Sequence, residues 1–220
     1  MNAVMFAGKA IAFDLDGTLV DTLPAMAAGF NQVIAPLIGR PISRQEIVSR
    51  LGSRLVEIMA IYQKDNPDQL AEIYLETSVG LHLRHARLYP GVMELVRALS
   101  RRGVPLGVVT SKRRKTAIPT LERLGVLGFF RAVVAEDDVA RLKPHPEPVE
   151  KVAAALGVEP SELLVVGDNP TDMSAAHAAG AAAGAAVWGF YGNAAAATAH
   201  WVFEQPIDVL NVCDWSGQCS

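Results

Sequence analysis

Short continuous runs of apolar residues alternate along this chain with stretches of helical period. The first run is Ile11-Ala12-Phe13, closing in Asp14-Leu15-Asp16. Leu106-Gly107-Val108-Val109 ends at Thr110, Ala132-Val133-Val134-Ala135 follows, and Leu163-Leu164-Val165-Val166 ends in Gly167-Asp168. A weaker run is Ala185-Ala186-Val187-Trp188, and Trp201-Val202-Phe203 predicts a short edge strand. Unbroken apolar runs of this length suit strands buried on both faces. Between them, Val92, Leu95, Val96 and Leu99 repeat at helical spacing, as do Val149, Val152, Ala153 and Leu156. Gly103 and Gly157 stand where each helix should stop. Ile118, Leu121 and Leu124 mark a further helix closed by Gly125. The alternation predicts an α/β fold, a doubly wound parallel sheet.

One segment breaks the rhythm. From Thr22 to about Arg87 no strand is evident. Leu23, Met26, Phe30, Val33 and Leu37 follow one helical spacing, and Leu55, Ile58, Met59 and Tyr62 another. Leu70, Ile73 and Tyr74 begin a third, and a short piece starts at Ser43 after Gly39-Arg40-Pro41. The pattern predicts an α-helical subdomain over residues 22–87, inserted into a core made of 1–21 and 88–220. Its hinges fall near Val20–Leu23 and Leu88–Gly91. Met26, Phe30, Met59 and Tyr62 read as the core of this insertion.

Composition narrows the function. Half of the 220 residues are hydrophobic and a fifth are charged, which supplies a core and excludes a disordered chain. A net charge of −3 gives no basis for electrostatic binding of nucleic acid or an anionic membrane. The apolar stretch from Ala178 to Tyr191 is broken by glycines and is shorter than the roughly 20 residues a bilayer requires. The N-terminus has no basic segment leading into an apolar one, so no secretory signal is expected. Cys213 and Cys219, both near the C-terminus, form neither a disulfide framework nor a zinc site. They read as reduced thiols in a cytoplasmic protein.

Candidate chemistry follows from where the strands end. Ligands of parallel α/β sheets gather outside the carboxyl ends of the strands. Those ends carry Asp14 and Asp16, Thr110 and Ser111, and Asp168 with Asp172 one turn on. Lys143 sits in the proline-rich loop after the third run. Carboxylates brought this close repel one another unless a cation lies among them. Oxygen ligands without Cys or His suit Mg²⁺. A Mg²⁺ site beside a lysine and hydroxyls reads as a phosphate site. Gly167-Asp168-Asn169-Pro170-Thr171-Asp172 also reads as a helix start.

Taken together, Asp14-Leu15-Asp16-Gly17-Thr18-Leu19-Val20-Asp21, then Thr110, then Lys143-Pro144, then Gly167-Asp168 with Asp172, resemble the haloacid dehalogenase-like (HAD) superfamily. The branch resembled is the phosphoglycolate phosphatase-like one with an α-helical cap, and the resemblance spans nearly the whole chain. It implies that Asp14 is a nucleophile forming an aspartyl-phosphate, and that Asp16 is general acid and base. It implies Mg²⁺ held by Asp14, Asp16 (through its backbone carbonyl), Asp168 and Asp172, with Thr110 and Lys143 on the phosphoryl group. An Asp at position 16 favours phosphoryl transfer over dehalogenation. Ser111 stands where Asn is frequent in the branch, and Asn169 where Ser or Thr is frequent.

Leu51-Gly52-Ser53-Arg54 resembles a substrate loop of the cap. Arg54, or in competition Arg50, is expected to meet a second anionic group. His82 and His85 read as surface residues. The implied activity is a Mg²⁺-dependent phosphatase on a small phosphorylated metabolite such as phosphoglycolate, acting as monomer or homodimer. Pyrophosphate and a mutase of the β-phosphoglucomutase type are the alternatives. Two further possibilities are a phospho-ligand binding module on an inactive scaffold and a phosphorylation-regulated receiver. The intact acids argue against the first, and a receiver would not need the inserted helices.

Overall fold

The computed structural model describes residues 6–212; Cys213 and Cys219, and the first five residues of the N-terminal segment, lie outside them. The strands are β1 Ala10–Phe13, β2 Val20–Asp21, β3 Arg87–Leu88, β4 Leu106–Val109, β5 Ala132–Val134, β6 Leu163–Gly167, β7 Ala182–Ala186 and β8 Trp201–Phe203. The helices are α1 Leu23–Val33, α2 Ala35–Ile38, α3 Arg44–Val48, α4 Leu55–Tyr62, α5 Pro67–His85, α6 Val92–Arg101, α7 Arg114–Arg123, α8 Glu147–Leu156 and α9 Pro170–Ala179.

Six strands form one parallel sheet in the order β5-β4-β1-β6-β7-β8. The doubly wound reading of the sequence holds. Successive residues of β1 point to opposite faces, as the strand period requires. Ile11 and Phe13 join Leu106, Val108, Leu164 and Val166 under α6 and α7, meeting Leu95, Leu99 and Leu121. Ala10 and Ala12 join Val109, Leu163 and Val165 under α8 and α9, meeting Val149, Val152 and Met173. All four residues of β1 are buried. Fully burying a side chain such as Phe13 contributes about 1.5–3 kcal/mol, so both windings of the sheet are held by this central strand. β1 lies between β4 and β6, and the chain winds outward in both directions from it. The crevice at its carboxyl end is therefore the switch point where ligands of such sheets bind.

Helices α1 to α5 lie between β2 and β3. They enclose a hydrophobic cluster of their own, which includes Leu23, Met26, Phe30, Ile34, Ile58, Met59, Leu70 and Tyr74. The two-residue strands β2 and β3 pair antiparallel where the chain leaves and re-enters the α/β part.

Two local expectations shift. The helix expected from Leu23 through Leu37 divides after Val33. Pro36 has no N–H and its ring crowds the carbonyl four residues back, which a continuous helix does not tolerate. The strand expected at 185–188 lies at Ala182–Ala186 instead, registered by Leu164↔Ala182 and Gly167↔Ala185. A Cβ on Gly184 would lie 2.5 Å from the Phe203 ring, so this glycine lets β8's aromatic residue lie flat on β7. Trp188 has left the sheet by then, and its indole N–H donates to the Thr18 carbonyl.

Candidate active site

The carboxyl end of β1 delivers Asp14 and then turns sharply. Gly17 adopts φ +96°, and Leu19 and Val20 donate back to the Leu15 carbonyl. Gly17 is also a requirement of space, since a Cβ there would fall 2.4 Å from an Asp168 carboxylate oxygen. Asp168 follows β6 and is fully buried. It accepts the backbone N–H of Phe190 at 2.7 Å and the Thr18 hydroxyl at 3.3 Å.

Asp172 lies in the first turn of α9 and has two duties. One oxygen accepts the Asn169 N–H, capping the helix, while the other meets the Lys143 ammonium. The capping and functional readings of this segment therefore describe the same residues. A Cβ on Gly167 would lie 2.2 Å from Asp172, so the glycine permits that carboxylate to fold against the strand end.

Lys143 reaches Asp14 at 2.7 Å, Asp172 at 2.5 Å and the Val109 carbonyl at 3.2 Å. Asp14, Asp168 and Asp172 each offer an oxygen within 4.8 Å of the others, and all three are buried. One ammonium does not balance three buried carboxylates. Burial pushes Asp14 up to about 7 despite Lys143, with Asp172 and Asp16 adding to the rise. Burial likewise holds Asp168 well above the usual carboxylate range, with Asp14 and Asp172 raising it further. Burial disfavours the Lys143 charge, but Asp14 and Asp172 more than offset this and raise its pKa. Surplus negative charge on hard oxygen donors, without sulfur or imidazole, fits a small divalent cation.

Asp14, Asp172 and Lys143 form one wall of a cavity of about 110 Å³ lying under the inserted helices. Thr110, Ser111, Lys112, Arg113 and Thr116 line it from the β4–α7 side, Leu51, Gly52 and Ser53 from the loop before α4, and Tyr74, Ser78 and His82 from α5. The Thr110 oxygen accepts the Lys112 N–H at 3.1 Å, which leaves its hydroxyl hydrogen available to the cavity. Asp14, Asp16, Thr110, Ser111, Lys143 and Asp172 are thus gathered at one rim, with Asp168 just behind.

Residues 11–186 match the family model of the haloacid dehalogenase-like hydrolases. The chain belongs to this family. A HAD relative from Bacillus pumilus, named pyrophosphatase PpaX, is 34% identical over 185 residues, covering 84% of this chain and 86% of that one. One from Rhodospirillum rubrum, named phosphoglycolate phosphatase, is 34% identical over 184 residues, covering 78% and 76%. The crystal structure of a predicted phosphoglycolate phosphatase from Haemophilus somnus superposes with a TM-score of 0.81 at 28% identity, covering 93% of this chain and 97% of that one.

Within this HAD site some expectations change. Arg54 is not among the residues lining the cavity. Its guanidinium donates to the Val139 and Ala140 carbonyls and pairs with Glu136 at 3.6 Å, tying the insertion to the core. Arg50 stacks on Tyr62 and pairs with Glu46, also away from the cavity. His82 is not a surface residue: it is 3% exposed and lines the cavity. Burial, aided by Lys112, pushes its pKa down to about 3. His85 is exposed, as expected.

Sequence reading overlooked Lys112, whose ammonium lies 3.0 Å from both oxygens of Asp16. It also overlooked Tyr191, whose hydroxyl donates to the carbonyls of Val48 and Leu51. A signal existed for α5, where Tyr74, Ser78 and His82 recur four apart and so share a helix face. Among the described residues, no helix is long and apolar enough to cross a membrane.

Proposed function

We propose that this HAD-family chain is a Mg²⁺-dependent phosphatase of small phosphorylated metabolites, working through an aspartyl-phosphate. The observation that carries the reading is the buried set of Asp14, Asp172 and Lys143 at the wall of a covered cavity, with Asp168 beside them. Asp14, Asp168, Asp172 and the Asp16 backbone carbonyl would hold the metal. Its charge would neutralise the phosphoryl oxygens and balance the carboxylates.

Asp14 attacks phosphorus, the bond to the leaving oxygen breaks, and Asp16 gives that oxygen its proton. Water then attacks the aspartyl-phosphate and surrenders a proton to Asp16. Phosphate and the Asp14 carboxylate are released. Lys143 and Thr110 bind the transferring group, and Lys143 offsets the repulsion between Asp14 and an anionic substrate. Lys112 holds Asp16 by both oxygens and so aims it. Residues 22–87 serve as a cap on a core of 1–21 and 88–220, excluding water when closed.

A phosphoglycolate-like monoester is one candidate substrate, and the relative named phosphoglycolate phosphatase favours it. Pyrophosphate is the second reading, favoured by the relative named PpaX. The test is Mg²⁺-dependent phosphate release across phosphoglycolate, pyrophosphate, sugar phosphates and nucleotides, with Asp14→Asn as control. Release lost in the control supports the reading. Interconversion of sugar phosphates without net release would replace it with a mutase. No turnover of any kind by folded, metal-loaded protein would reject it.

A further inference from the structure

The seam between α5 of the insertion and α7 of the core carries polar atoms that the reaction just described does not use. α5 packs along α7 there. His82 from α5, Ser111 from the loop before α7 and Thr116 from its first turn line the same cavity. His82 and Thr116 are each 3% exposed. Among the described residues, His82 Nε2, Ser111 Oγ and Thr116 Oγ1 are buried without a hydrogen-bond partner. Leaving such groups unpaired is costly, and a native cavity that keeps several along its lining has a use for them.

The seam's charges, by contrast, are matched. Lys112 is taken by Asp16. Arg113 lies 3.7–3.8 Å from Glu72, Glu136 and Asp137, although its Nε makes no hydrogen bond. The atoms left over are therefore mainly neutral donors and acceptors.

The proton on His82 can be placed. Nδ1 lies 2.9 Å from the Ser78 carbonyl oxygen, which only accepts, so Nδ1 carries the hydrogen. Burial keeps the ring neutral. Nε2 is then a bare acceptor, and a group that meets it must bring a hydrogen of its own.

We infer that the α5–α7 seam is the leaving-group subsite, and that it selects substrates whose leaving part carries an O–H directed at His82 Nε2. Thr116 and Ser111 donate in turn to that part's oxygens. The inference rests on the phosphatase reading and deepens it. The substrate class is a phosphate ester or anhydride ending in an alcohol or an acidic P–OH, as pyrophosphate does. A leaving part that ends in an ionised carboxylate has no such hydrogen to offer. A site built around a hydrogen bond rejects the analogue lacking it far better than an apolar pocket rejects an added hydroxyl.

The experiment compares kcat/KM for 2-hydroxyethyl phosphate and ethyl phosphate, which differ by one hydroxyl, with phenyl phosphate as a third ester. The ratio between the matched pair cancels any general loss of folding or chemistry in a variant. The wild type should prefer the hydroxylated ester by roughly tenfold or more. His82→Phe should bring the ratio close to one. His82→Gln, which keeps an acceptor, should restore much of it, and Thr116→Val should lower it. A wild-type ratio near one, or a ratio unchanged in His82→Phe, would overturn the inference while leaving the phosphatase reading standing. Absence of metal-dependent release from all three esters would overturn both.

Discussion

Lys112 grips Asp16 symmetrically, its ammonium 3.0 Å from each carboxylate oxygen. Both side chains are largely buried, so the pair is weakly screened. A carboxylate held at both oxygens by one ammonium has little freedom to rotate. Lys112→Met should therefore lower kcat by roughly tenfold or more with a smaller change in KM, by loosening the carboxylate proposed to take the proton from water. Asp16→Asn, which removes that carboxylate, should cost roughly 10²–10⁴-fold. Steady-state kinetics on the preferred substrate separates these outcomes. A Lys112→Met enzyme with unchanged kcat would show that the pair is merely structural.

Lys143 is the only ammonium hydrogen-bonded to Asp14 and Asp172 among the described residues. Breaking a buried ion pair by removing one partner typically costs about 3–5 kcal/mol. Lys143→Met should lower stability by that order and deepen the need for a cation. Denaturant unfolding with and without Mg²⁺ should show a larger metal-induced gain in the variant than in the wild type. In the wild type, Mg²⁺ at a hundred times its Kd should add about 2.7 kcal/mol. Equal unfolding midpoints with Mg²⁺ and with chelator would count against a metal among the three carboxylates.

His82 makes the fold sensitive to acid. Its folded pKa is depressed to about 3 by burial and by Lys112, against about 6.5 in an unfolded chain. Between those values the unfolded state binds the extra proton, so stability falls as pH falls through that window. The contribution is about 1.4 kcal/mol per pH unit where the difference is complete. His82→Gln should unfold with a shallower dependence on pH between 6.5 and 4. Parallel curves for the two proteins would show that the buried imidazole is not responsible.

Tyr191 links the acidic cluster to the insertion. The segment that gives the Phe190 N–H to Asp168 also sends the Tyr191 hydroxyl to the carbonyls of Val48 and Leu51. Tyr191→Phe removes those bonds and leaves the ring, for a net loss of about 0.5–1.5 kcal/mol. The loop before α4 should be held less firmly over the cavity, so KM should rise more than kcat falls. An unchanged KM would show that this contact does not hold the loop.

The sheet is legible because its strands are continuous apolar runs, and the acids at their ends mark the candidate site in the sequence itself. Less legible features were those set by distant parts of the chain. β2 and β3 are two residues each and exist because they pair, so neither has a periodicity to read. β7 is alanine and glycine with little strand propensity, and its register comes from β6 and Phe203. Arg54 reads as a substrate contact because Leu51-Gly52-Ser53-Arg54 resembles a substrate loop of the cap, but Glu136 and two carbonyls lie within reach of it across the seam. Lys112 stands in a basic run, Lys112-Arg113-Arg114-Lys115, with no sequence signal of its own, and only the approach of β1 to β4 sets it on Asp16. His82 reads as a surface residue by its polarity, yet on α5 it is buried and faces the cavity.

In the proposed reaction Asp14 carries the phosphoryl group. Enzyme quenched in acid during Mg²⁺-dependent turnover, then reduced with borohydride, should yield a peptide with homoserine at position 14, which is the reduction product of an aspartyl-phosphate. Asp14→Asn should give none. Vigorous phosphate release with unmodified Asp14, or trapping at another residue, would contradict the account.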